Sequence, residues 1–143
     1  MVGGATRIGY DKGMEAEVRT LFSSDVDDLA SYIPGEVFCL SLRALIGPKG
    51  SPGEESFDFD VCSPAWLAAK VERDELVSGR FCLFMAKYDY DAIQLYVAKR
   101  VAQATGSDWT EVATKLARWS RWEFEDYVEK PSTRQTLFTL FKK

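Results

Sequence analysis

Gly53-Glu54-Glu55-Ser56-Phe57-Asp58-Phe59-Asp60-Val61-Cys62-Ser63-Pro64-Ala65-Trp66 is the stretch on which the fold turns. Phe57, Phe59 and Val61 alternate with Ser56, Asp58, Asp60 and Cys62. Successive side chains of a strand point to opposite faces, so this is a strand with one apolar and one polar face. Ser63 then predicts a helix N-cap. Pro64 takes the first helical position, where its missing N–H leaves no bond unmade.

Upstream, residues 36–46 are rich in strand formers, and Gly47-Pro48-Lys49-Gly50-Ser51-Pro52-Gly53 carries the punctuation of a long hairpin loop. The strands at 36–46 and 54–62 are therefore expected to be antiparallel neighbours, with Arg43 opposite Asp58 or Asp60 as a cross-strand charge pair. Ala16, Val18, Thr20 and Phe22 alternate with Glu15, Glu17, Arg19 and Leu21, predicting a half-buried strand over 14–22. Residues 24–33 read as one or two helical turns ended by Pro34. Residues 1–13, glycine-rich and without hydrophobic periodicity, read as a flexible lead to a single domain spanning 14–143.

Downstream, the helix opened by Ser63-Pro64 is expected to bury Trp66, Leu67 and Val71. Residues 80–87 are apolar on both faces and read as the central, doubly covered strand. A helix starting near Asp89 or Asp91 carries Ile93, Val97, Val101 and Ala104 as its stripe and stops at Gly106. Another opens at Asp108-Trp109-Thr110-Glu111, a capping-box variant, and turns Trp109, Val112, Ala113 and Leu116 inward. Residues 122–127 alternate again as a short strand or extended edge. The resulting order predicts an α+β fold: a single domain with a mainly antiparallel sheet and helices packed mostly on one face.

A chain of 143 residues buries roughly 70% of its unfolded surface on folding, and 46% hydrophobic content supplies a core without disulfides or metals. Cys39, Cys62 and Cys82 are odd in number and sit in hydrophobic runs, which reads as buried thiols in a reducing compartment. The first residues lack an apolar signal core and no apolar run is long enough for a membrane span, so a cytoplasmic protein without a membrane partner is expected. Eighteen Lys and Arg against 22 Asp and Glu leave a net charge of −4. That balance speaks against direct nucleic-acid binding and suits a basic protein partner.

Histidine is absent, which removes the commonest general base and metal ligand. No C-x-x-C pair and no phosphate-binding glycine loop is present, and no cofactor is assigned. Carboxylates remain. Asp58 with Asp60, and Glu123 with Glu125 and Asp126, could hold Mg²⁺ for hydrolysis or simply form a solvated acidic face. A third use is to meet arginines and lysines of a basic protein, for which Glu54, Glu55, Asp58, Asp60, Glu123, Glu125, Asp126 and Glu129 are the candidates. Trp66 and Trp109 read as core. Trp119, Trp122 and the Leu137-Phe138-x-x-Leu140-Phe141 tail are candidates for a homodimer contact or an anchor to another protein.

Gly47-Pro48 before Gly53-Glu54-Glu55-Ser56-Phe57-Asp58-Phe59, followed by Val61-Cys62-Ser63-Pro64-x-Trp66-Leu67, resembles the signature of the immunity protein 8 family of bacterial polymorphic toxin systems. Gly79-Arg80, Tyr88-Asp89, Trp109 and Trp122-Glu123-Phe124-Glu125-Asp126-Tyr127 fit the same pattern, so the resemblance covers residues 36–127. It implies a non-enzymatic antidote. Such a protein binds the C-terminal domain of a cognate secreted or contact-delivered toxin, often a nuclease, in the cytoplasm of the producing cell. A signature of this kind marks fold more than contact surface, so Phe57, Phe59, Trp66, Leu67 and Trp109 are assigned to the core. The alternatives are a carboxylate-based Mg²⁺-dependent hydrolase and a non-catalytic scaffold or dimerisation module.

Overall fold

The computed structural model describes residues 13–126. Its elements are β1 (Ala16–Phe22), β2 (Cys39–Pro48), β3 (Glu55–Cys62), α1 (Pro64–Asp74), β4 (Cys82–Phe84), α2 (Tyr90–Gln103), α3 (Trp109–Leu116) and β5 (Arg121–Trp122). β1, β2 and β3 run antiparallel in that order, and Arg43 faces Asp58 across the β2–β3 hairpin as its spacing requires. The far side of β3 is shared. β4 pairs parallel with Asp60–Cys62, and β5 pairs antiparallel with Phe57 and Asp58. The fold is α+β with a mixed sheet, because α1 carries the chain back so that β4 runs alongside β3.

One face of the sheet is the core. Leu40, Leu42, Ala44 and Ile46 of β2 meet Phe57, Phe59 and Val61 of β3, all nearly or fully buried. Ile93, Val97 and Val101 from α2 with Ala104 at its C-cap, and Val112, Ala113 and Leu116 from α3, belong to the same cluster. These are the stripes that the helical spacing predicts. The caps also form: Asp89 accepts from the Ala92 N–H and Asp108 from the Glu111 N–H. The Glu111 carboxylate bonds the Ser107 N–H, so the capping box closes one residue earlier than its usual pattern. Trp119 joins the core, packed on Phe59 and Tyr96.

Four expectations change. The β1 register shifts between Val18 and Thr20, and two β1 residues then oppose one step of β2. Such a bulge exchanges the faces, so Leu21 packs against the core with Val18 while Phe22 is 40% exposed. Residues 24–33 form bends and a turn instead of helix. Asp28 explains why: one carboxylate oxygen accepts from the Ala30 N–H and the other from the Ser31 hydroxyl, giving the backbone a local alternative to helical bonds. Residues 80–87 supply only the three-residue edge strand β4, partly exposed, and the middle strand is β3. The expected burial of Trp66, Leu67 and Val71 is also revised, since α1 has no fully buried residue and Val71 is 39% exposed.

The alternation after Arg121 lasts only to Trp122, and residues 123–126 turn. The predicted N-terminal lead through residue 12, Tyr127, Glu129 and the apolar tail lie outside the described residues. No helix among the described residues is long and apolar enough to cross a membrane.

Candidate interaction groove

The face of the sheet opposite α2 and α3 is polar. Arg43 Nε and Nη2 donate to the two oxygens of Asp58 at 2.8 and 2.9 Å, a fork-to-fork pair that the β2–β3 register sets up. One step along, the Ser41 hydroxyl donates to Asp60 at 2.8 Å. Arg121 stands in register with Asp58 and Cys82 with Asp60, so β4 and β5 extend this face.

A groove of about 910 Å³ opens where that face meets α1. Trp66, Leu67 and Lys70 form one wall, Val77, Ser78, Arg80, Phe81 and Phe84 the second and residues 121–126 the third, with Asp60 and Cys82 also in the lining. The second wall turns on Phe81, whose φ of +64° places a bulky side chain in the left-handed region. Two guanidinium groups stand over its ring, Arg80 at 4.3 Å and Arg121 at 5.3 Å from the ring centre. Arg80 also pairs with Glu125 at 3.0 Å, tying the second wall to the third. Trp122 lies flat on Phe57, with ring centres 6.4 Å apart and planes 7° from parallel, which fixes the third wall to the core.

The predicted contact carboxylates divide by place. Asp60, Glu123, Glu125 and Asp126 line the groove. Asp58 is on the adjoining face, held by Arg43, and Glu54 is exposed in the hairpin loop. Glu55 is committed within the fold, since its Oε1 accepts from the indoles of Trp109 and Trp122 at 2.8 Å each. Glu123 accepts from the Ser56 N–H through one carboxylate oxygen. Glu129 lies outside the described residues.

Of the five residues assigned to the core, Phe57 and Phe59 are buried and Trp109 is partly buried against them. Trp66 and Leu67 are half-buried groove residues instead, because α1 flanks the polar face and not the core. Charge and spacing gave no sign of Arg80, Phe81 and Arg121 acting together. Their meeting depends on the β3–α1–β4 crossover and the return of β5.

Asp58 and Asp60 engage different partners on β2, and among the described residues no group of three His, Cys, Asp or Glu side chains is placed to hold a metal ion. The three thiols lie side by side at the end of the polar face. Burial is the main cause pushing the thiol pKa of Cys39, Cys62 and Cys82 upward, and the nearby Asp60 carboxylate adds to it for Cys39 and Cys82. All three are therefore held protonated at neutral pH.

The family described as Immunity protein 8 matches residues 16–127, a span from the start of β1 past the last described residue. No curated protein matches the chain, and no solved structure does.

Proposed function

The chain belongs to the immunity protein 8 family, and on that footing we propose that it is the antidote to a cognate bacterial toxin domain, binding it one to one without chemistry of its own. The family match over residues 16–127 carries this reading. The groove supports it. Aromatic and aliphatic side chains stand beside carboxylates there, the mixture of apolar anchor and polar rim that protein partners use. Thiols held protonated and a chain without histidine offer no ready nucleophile–base pair.

The partner is the C-terminal domain of a secreted or contact-delivered toxin, met in the cytoplasm. A basic nuclease suits the charge, because Asp60, Glu123 and Asp126 then face its lysines and arginines while Trp66 and Phe84 supply apolar contact. Glu125 contributes less, being paired with Arg80.

Co-expression tests the proposal. The toxin domain encoded beside this protein is induced in a susceptible host with and without the antidote, and a tagged copy is purified from the cells. Restored growth with a one-to-one complex is the expected result. A toxic neighbour that is neither bound nor counteracted overturns it.

A further inference from the structure

Cysteines 39, 62 and 82 come from three different strands, and the sheet brings them together. Cys39 and Cys62 are direct register partners across β2 and β3. Just beyond them the Ser63 N–H donates to the Phe38 carbonyl at 2.9 Å, which makes 39 and 62 a non-hydrogen-bonded pair. Backbones approach most closely at such pairs, with α-carbons about 4.5 Å apart, and a disulfide accepts α-carbon separations of about 4.4–6.8 Å. The two sulfurs lie 2.7 Å from each other. Cys82 is placed differently: it registers with Asp60, two residues from Cys62, and its sulfur is 3.9 Å from that of Cys62.

We propose that Cys39 and Cys62 are a redox-sensitive pair, closing to a cross-strand disulfide when the protein meets a peroxide, while Cys82 remains a thiol. The chemistry needs only that oxidant. One thiol ionises and its thiolate attacks a peroxide oxygen, breaking the O–O bond to give a sulfenic acid and hydroxide, which takes up the released proton as water. The neighbouring thiol then attacks that sulfur, forming the S–S bond and releasing the hydroxyl with a proton as a second water. Hydrogen peroxide is reduced and two thiols are oxidised, and a dithiol reductant reverses the step. Geometry selects the pair, because a bond from Cys62 to Cys82 needs the backbone to move along the diagonal.

The groups facing these thiols set the rate. Burial, with Asp60 and Asp25 near Cys39 and Asp60 near Cys82, keeps thiolate scarce at neutral pH. Closure is accordingly slow at pH 7 and faster as pH rises. In a reducing compartment the pair stays open, and oxidative exposure fastens the end of the β2–β3 hairpin beside the groove. This inference does not depend on the toxin assignment.

Trypsin separates the three cysteines into peptides 20–43, 50–70 and 81–87, so mapping is direct. The reduced full-length chain is treated with hydrogen peroxide, quenched in acid, alkylated and digested. The expected products are peptide 20–43 joined to 50–70 and an alkylated 81–87, with melting raised by about 5 °C or more and the change reversed by dithiothreitol. Cys82→Ser should still close and Cys39→Ala should not. Three alkylated peptides after oxidation, a 50–70 to 81–87 bond, an intermolecular disulfide or oxyacids at all three positions overturns the proposal.

Discussion

Glu55 and Trp122 meet across the edge of the sheet, the indole N–H donating to the carboxylate at 2.8 Å. Trp109 donates to the same oxygen, also at 2.8 Å, so one side chain ties α3 and β5 to the start of β3. Both rings pack on Phe57, Trp109 edge-on and Trp122 stacked. Glu55→Ala deprives two partly buried indoles of their acceptor and should cost about 2–4 kcal/mol by urea denaturation. Glu55→Gln keeps an accepting oxygen and should cost about 1 kcal/mol. Equal losses in the two variants would show that the acceptor is not what matters.

Gly47 is fixed by contact, not by dihedral freedom. A Cβ there would sit 2.0 Å from the Gly53 carbonyl oxygen and 2.8 Å from Arg19 Nη2. That Arg19 nitrogen closes the hairpin loop by donating to the Pro48 and Ser51 carbonyls at 2.8 and 2.7 Å. Gly47→Ala should therefore destabilise by about 2–3 kcal/mol. Gly35→Ala, with nothing within 4 Å of the new carbon, is the control and should fall within about 0.5 kcal/mol of the parent. A Gly47→Ala value as small as the control's would remove the steric explanation.

Local signals were legible because they act over a few residues. Ser63-Pro64, Asp89 and Asp108 each start a helix by bonding backbone N–H groups nearby, and Ile93, Val97 and Val101 read correctly because 3.6-residue spacing alone puts them on one side. What escaped depends on distant neighbours. The single extra residue between Val18 and Thr20 exchanges Leu21 with Phe22, and an alternating pattern cannot reveal it. Residues 80–87 look central by apolarity, yet the length of β3 is divided between β4 and β5, which confines β4 to three residues. The groove escaped for the same reason. Carboxylates were visible as runs, but Arg80 and Arg121 lie 41 positions apart in the chain and meet only around Phe81.

Tyr88 makes stability pH-dependent in the alkaline range. Its hydroxyl donates to the Leu29 carbonyl at 2.8 Å, and its ring packs edge-on with Tyr32 and Phe38. Burial pushes the phenol up to about 12, helped by Tyr90, Tyr32 and Asp28. An unfolded tyrosine titrates near about 10, so above that pH the unfolded chain releases a proton that the folded one keeps. The contribution is complete below pH 10 and is lost as pH rises towards about 12. Tyr88→Phe should cost about 1 kcal/mol at neutral pH and show a shallower alkaline decline than the parent in urea midpoints. Parallel declines would assign the titration to another group.

The charge layout of the groove lets two docking sites for the toxin be told apart. Asp126 stands exposed at the groove, whereas Glu54 is exposed in the hairpin loop, away from it. Rim charges act mainly on encounter, so Asp126→Lys should slow association with the toxin domain about tenfold at low salt and weaken its salt dependence. Dissociation should change little. Glu54→Lys should leave both rates near those of the parent. Trp66→Ala, which removes a half-buried anchor under Lys70, should instead speed dissociation. Stopped-flow association at two ionic strengths distinguishes the sites: sensitivity at Glu54 without sensitivity at Asp126 would move the interface from the groove to the hairpin loop.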